Sequence, residues 1–140
     1  MVKEVNRDDI VTVRHAVLRP NLPPESAAYV EDDEPGVFHI AEHDGVTVVA
    51  CASFYPQPLD GEPAWRLRGM ATLEAYRNRG IGGRLLEAGV AEVARRGGRL
   101  VWCNGRSTAM AFYLRHGFAI RGDEFDVPVT GPHYRFVRAV

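Results

Sequence analysis

The sequence predicts a mixed α/β domain in which helices cover a central sheet, and three observations carry that prediction. Residues 81–95 repeat apolar side chains at helical spacing. Short β-branched runs stand between turns marked by Gly, Pro and Asp-Gly. The two kinds of segment alternate along the chain instead of segregating, the order that places helices against a sheet.

The elements follow in chain order. Val2–Val5 reads as a short strand. Asn6 or Asp8 can cap a helix over roughly residues 8–18, where Ile10, Val13, Val17 and Leu18 share a face. Arg19-Pro20 stops it. Pro23-Pro24 before Glu25 opens a short helix to about residue 30. Residues 31–36 form a charged turn. Residues 37–42 and 46–54 flank His43-Asp44-Gly45, a hairpin signal. Residues 56–63, with three prolines and Asp60-Gly61, form a loop. Trp65–Thr72 reads as a strand. Ile81–Arg95 is the clearest helix, with Ile81, Leu85, Leu86, Gly89, Val90 and Val93 in one stripe and Gly97-Gly98 ending it. Residues 100–103 read as a buried strand. Residues 107–116 read as a second helix after it, capped by Ser107 or Thr108 and stopped at Gly117. Residues 118–120 and 133–137 complete the strands.

At 140 residues the chain is expected to be a single domain, 1–140. An apolar fraction of 46% with 25% charged residues excludes disordered, collagenous and membrane-spanning classes. Cys51 and Cys103 form no CxxC, which excludes a disulfide framework or zinc ribbon. The first residues carry no apolar run, so a cytoplasmic protein is expected. The charge is divided: residues 1–65 hold four basic and twelve acidic groups, residues 66–140 thirteen basic and six acidic. That asymmetry suits a polyanionic ligand on the basic half, and equally an uneven scatter of solvated charge.

The informative segment is Tyr76-Arg77-Asn78-Arg79-Gly80-Ile81-Gly82-Gly83-Arg84, after a strand and at the start of the strongest helix. Free N–H groups and the positive dipole end of a helix N-terminus favour phosphate. Gly80, Gly82 and Gly83 leave those groups open, and Arg77 and Arg79 add charge. A Walker loop needs a lysine, and Lys3 is the chain's only one. A dinucleotide fingerprint fails because Leu85 stands where its last glycine belongs. A ligand-free turn and a generic nucleotide-phosphate site stay open on these grounds.

Arg77-x-x-Gly80-x-Gly82 resembles the R/Q-x-x-G-x-G/A acyl-CoA signature of the GNAT superfamily of N-acyltransferases. Ala109-Met110-Ala111-Phe112-Tyr113-Leu114-Arg115-His116-Gly117-Phe118 is similar to that superfamily's A-x-x-x-Y-x-x-x-G-F segment. The resemblance is carried by residues 65–118. It implies an α/β (α+β) fold: a central mixed, mostly antiparallel sheet, splayed in the middle, with helices on both faces. The splay would lie between the strand ending near Thr72 and the one over residues 100–103. The pantetheine arm of acetyl-CoA would pair there with Met70, Ala71 and Thr72, and its pyrophosphate would rest on Arg77, Asn78, Arg79, Gly80, Ile81, Gly82 and Gly83. Gly69 would mark a bulge or a close backbone approach.

The implied activity is acetyl transfer from acetyl-CoA to a primary amine, with no metal. Tyr113 matches the family's proton donor to the departing thiolate, and a backbone N–H near Met70 would stabilise the oxyanion. Relatives often place a Glu on the strand before the phosphate turn, and Trp65-Arg66-Leu67-Arg68-Gly69-Met70 holds no carboxylate. His133, Glu42 or His43 through water, or no base at all, remain for proton removal. Relatives often carry Asn seven residues before the Tyr; Arg106 stands there, facing the cofactor as a charge, with Asn104 two residues displaced. The alternative is a catalytically weak acyl-CoA-binding module or sensor. The expected partner is a small-molecule or peptide amine, with no nucleic acid and no membrane; a homodimer, the acceptor's identity and the acyl chain length stay open. His39 and His43 on one strand face would lack a third metal ligand. Arg66 and Arg68, alternating on a strand, either line a substrate mouth suited to an acidic substrate or are solvated.

Overall fold

The computed structural model describes residues 2–140. Eight strands form one sheet: β1 (Val2–Val5), β2 (Phe38–Asp44), β3 (Thr47–Pro56), β4 (Trp65–Thr72), β5 (Leu100–Arg106), β6 (Ala119–Ile120), β7 (Phe125–Val127) and β8 (Gly131–Ala139). The order is β1-β2-β3-β4-β5-β8-β6, with β7 also paired to β8. All pairs are antiparallel except β4 with β5. Three α-helices accompany it: α1 (Val11–Leu18), α2 (Ile81–Arg95) and α3 (Met110–Arg115). This is the mixed α/β, mostly antiparallel sheet that the resemblance implied.

Helices lie on both faces. α2 buries Ile81, Leu85, Leu86, Val90 and Val93 in the main core with Phe38, Phe54, Leu67 and Val101, joined there by Tyr113 of α3. α1 places Ile10 and Val13 on the opposite face against Ala41, Cys51 and Ala71. A Cβ on Gly89 would stand 2.1 Å from the Phe54 ring, so α2 seats its backbone directly on β3. Both cysteines are free and buried, and no helix of the described residues is long and apolar enough to cross a membrane.

Element ends depart from expectation where local hydrogen bonding wins over periodicity. The expected helix over residues 8–18 divides into a 3-10 turn, Arg7–Asp9, and α1, and that over 107–116 into Ser107–Ala109 and α3. The helix expected to run to about residue 30 ends as a 3-10 turn at Ala27. The charged turn is itself a 3-10 turn, Val30–Asp33. Strand β7 carries no apolar alternation strong enough to reveal it. The register shift between Glu42 and His43 skips Val49, so the extra residue lies on β3, and His39 and His43 keep their alternation along β2.

Candidate active site

The parallel contact between β4 and β5 is brief. Trp65 pairs with Val101 and Arg66 with Trp102, and no further pair follows. Beyond Arg66 the strands part, leaving the inner edge of β4 open toward β5. The splay opens into a cavity of about 640 Å³, within the usual range of small-ligand sites. Residues 66–70 of β4 and 103–106 of β5 form two of its walls; Tyr113, Tyr29 and the tip of the β7–β8 hairpin help close it.

Gly69 makes the bend at this place. Cys51 faces Ala71 and Ser53 faces Arg68, so β4 carries one extra residue there: a β-bulge. Its φ is +65°, a backbone state that costs a side-chain-bearing residue energy. A Cβ there would stand 2.8 Å from Nε of Arg14. The bulge and the close approach expected of Gly69 are both present.

Beneath the bulge lies a buried polar cluster. Arg14 and Asp32, both with fully buried side chains, pair at 2.7 Å. Arg14 also donates to the Ala27 carbonyl, Ser53 Oγ and Tyr55 OH. Asp32 accepts from Tyr55 OH at 2.5 Å and the Tyr29 N–H at 2.8 Å. His39 bonds Ser53 Oγ at 2.6 Å, which makes it part of this cluster. The cluster ties α1 and the Val30–Asp33 turn to β3. From that turn Glu31 reaches Arg68 at 3.2 Å, and Tyr29 lies under the guanidinium groups of Arg14 (4.1 Å) and Arg68 (4.4 Å).

The Arg-Gly turn follows β4. Gly80 caps α2 with φ +76°, and Asn78 has φ +63°, a state asparagine tolerates better than most residues. The first intrahelical bond runs from the Arg84 N–H to the Gly80 carbonyl, so the N–H groups of Ile81, Gly82 and Gly83 stand at the open end. A Cβ on Gly82 would meet the Phe112 ring at an ordinary 3.7 Å, whereas one on Gly83 would come within 3.0 Å of His116. Gly83 therefore has a packing reason beside the one inferred from sequence. Arg77 is exposed and donates to the Thr72 carbonyl at 3.2 Å; Arg79 lies over Tyr76. A helix start with three open N–H groups, small residues and two flanking arginines fits the pyrophosphate of acyl-CoA, and the open edge of β4 fits its pantetheine arm.

Met70 and Tyr113 both line the cavity, as does Arg106; Ala71 and Thr72 continue β4 away from it toward the turn. Tyr113 is held by stacking on Phe136 at 4.6 Å between ring centres, with Phe118 edge-on at 5.5 Å. Burial, followed by the neighbouring Cys103 thiol, pushes its pKa well above the ordinary phenol value. The Cys103 thiol is pushed up to about 12 by its own burial. Both groups stay protonated. The base candidates separate clearly. Glu42 pairs with Arg84 of α2 at 3.2 Å, and neither it nor His43 lines the cavity. His133 does, and its Nδ1 donates to the Gly131 carbonyl at 2.8 Å. A carbonyl only accepts, so in the neutral ring the proton sits on Nδ1 and the lone pair on Nε2.

The cavity wall also holds residues the sequence reading left aside: Arg19, Tyr29 and the hairpin tip Pro128-Val129-Thr130. The β-branched residues beside Gly131-Pro132 were the available signal for that hairpin. Arg66, read as lining a mouth or solvated, lines the cavity with its guanidinium 4.9 Å from the Trp102 ring centre. Burial, then the charge of Arg68, lowers its pKa.

Comparison with known proteins agrees with this geometry. Residues 7–118 match the acetyltransferase (GNAT) family. The chain is 39% identical over 135 residues to an uncharacterized N-acetyltransferase of Bacillus subtilis (strain 168), YitI, covering 94% of this chain and 91% of that one. In fold it is similar to Escherichia coli ElaA, with a TM-score of 0.81 at 17% identity over 99% of this chain and 98% of that one. An aminoglycoside 6'-N-acetyltransferase complexed with coenzyme A gives 0.82 at 19%, over 99% and 96%. By sequence match and by fold, the chain belongs to the GNAT family of acetyltransferases.

Proposed function

We propose that this protein transfers the acetyl group of acetyl-CoA to the nitrogen of a primary amine by direct attack on the thioester. The observation that carries the reading is the splay. One gap has the helix start of α2 beyond one end of β4, and Met70 and Tyr113 in the cavity wall. The fold is shared with an aminoglycoside acetyltransferase that binds coenzyme A, which supports acyl-CoA as co-substrate.

Acetyl-CoA supplies the activated acyl group. The chain's own residues supply positioning and proton control. The N–H groups of residues 81–83, with Arg77 and Arg79, hold the pyrophosphate. The open β4 edge at Met70, Ala71 and Thr72 aligns the arm, and a backbone N–H near Met70 stabilises negative charge on the carbonyl oxygen. Tyr113, neutral throughout the working pH range, holds a proton for the leaving sulfur. His133 Nε2 is the lone pair that accepts a proton from the amine. Arg106 stands in the cavity as a charge where relatives often have an amide.

One observation favours the alternative of an acyl-CoA-binding module without turnover: among the described residues no Asp or Glu lines the cavity. Release of free CoA thiol with a panel of primary amines decides between them. Amine-dependent thiol release at one thiol per acetylated amine is expected. Tight acetyl-CoA binding without release for any amine would leave only the binding module.

A further inference from the structure

The charge around the acceptor space has one sign. Arg19, Arg66, Arg68 and Arg106 line the cavity, with no Asp or Glu among its described lining residues. Arg68 already has a partner in Glu31. Arg19, Arg66 and Arg106 enter no ion pair among the described residues, and Arg66 goes further. Its Nε is buried with no hydrogen-bond acceptor. A charged, half-buried guanidinium without an acceptor in the protein is destabilising, and a ligand carboxylate on its terminal nitrogens offsets that cost. The group is also held in place. It lies over the Trp102 ring, and Trp102 is itself pinned by donation from Nε1 to the Gln57 carbonyl at 3.0 Å. Arg135 approaches the same ring at 5.2 Å but is engaged with Asn104 and Asp60.

Arg66 is poorly placed for the cofactor's pyrophosphate. Six steps of strand separate it from Thr72, where the chain turns toward α2, a span of up to about 20 Å at roughly 3.3 Å per residue. It stands at the other end of the splay.

We propose that the acceptor amine carries a carboxylate, and that Arg66 binds it. The acceptor is an amino-acid-sized molecule whose carboxylate sits on the Arg66 guanidinium while its amine faces the thioester. This rests on the acetyltransferase reading. A planar guanidinium seated over an aromatic ring presents a fork that matches a carboxylate. The same wall repels a polycationic amine.

The test is acetyl transfer to matched acceptors: amino acids against their amides, with phosphoethanolamine and spermidine beside them. The amide keeps the shape and has more free amine at neutral pH, so amine basicity works against the expected order. The acid is expected to exceed its amide about 10- to 100-fold in kcat/KM, the range of one charge-assisted hydrogen bond to a buried partner. Arg66→Met, which keeps an unbranched stem over Trp102, is expected to erase that preference through the acceptor KM while leaving the KM for acetyl-CoA within about twofold, as a residue at the other end of the splay from the pyrophosphate should. Arg66→Lys retains part of the preference and guards against a folding artefact. Transfer that favours amides, phosphoethanolamine or spermidine leaves the acetyltransferase reading standing and overturns the carboxylate site. A rise in acetyl-CoA KM in Arg66→Met with the acid preference intact also overturns it, by making Arg66 a cofactor ligand. No transfer to any amine, with acetyl-CoA bound, overturns both.

Discussion

Replacing Asp32 with Asn removes the anion from the buried cluster beneath the Gly69 bulge. Asp32 accepts from both Arg14 guanidinium nitrogens, at 2.7 and 3.0 Å, from Tyr55 OH and from the Tyr29 N–H. An amide keeps the shape, but it turns an NH2 group toward a donor and leaves the Arg14 charge unbalanced in a fully buried position. Breaking one half of a buried pair costs about 3–5 kcal/mol. A chain of 140 residues unfolds with about 0.3 kcal/mol per kelvin of entropy, so Tm should fall by roughly 10–17 °C. Thermal and urea unfolding measure it. The double variant Arg14→Met/Asp32→Leu should recover much of the loss, because it removes both charges. The pH dependence has a fixed sign. Burial by itself would raise the Asp32 pKa, but the hydrogen bonds from Arg14 and Tyr55 outweigh it, and the folded value lies below the ordinary one. The unfolded chain therefore takes up the proton first as pH falls. The stabilisation is complete above about pH 4 and is lost as pH drops through the lower folded value. The Tm gap between wild type and Asp32→Asn should thus narrow below about pH 4. A Tm loss under about 3 °C at pH 7, or a gap that stays constant into acid, would show that Arg14 does not depend on this carboxylate.

Tyr113→Phe keeps the stacking on Phe136 and removes only the O–H. A kcat loss of about 100-fold with unchanged acetyl-CoA affinity is expected for a lost general acid, and full kcat would reduce Tyr113 to a packing residue. Because the phenol pKa is raised well above its usual value, the wild-type rate should show no loss attributable to Tyr113 ionisation up to pH 10. Gly82→Val has room for its Cβ against Phe112, so the protein should fold while losing most of the Tm rise that acetyl-CoA gives the wild type; an unchanged rise would remove the phosphate from this turn. Arg77→Ala should weaken CoA binding, and wild-type affinity should drop with added salt; equal affinity of variant and wild type would make Arg77 an ordinary surface charge.

The sequence by itself determined the elements whose signal is local. The stripe from Ile81 to Val93 and the Gly97-Gly98 stop mark α2 at its observed bounds, because helical periodicity over 15 residues has no competing reading. Trp65–Thr72 likewise appears as read. The Arg-Gly turn was legible as a turn into a helix because its small residues and the start of the apolar stripe lie in one short segment. Tertiary structure decided everything that depends on residues far apart in the chain. Asp32 lies in a run of four acids and looks solvated; its burial comes from Arg14, 18 residues earlier, and Tyr55, 23 later. His133 became the base candidate, ahead of Glu42 and His43, only when β8 folded beside β5 and brought it to the cavity. Arg66 and Arg68 alternate on a strand in a way equally suited to solvent. Only the parting of β4 from β5 after two residue pairs set them on the wall of a cavity, because strand pairing is a relation between segments that neither segment records alone.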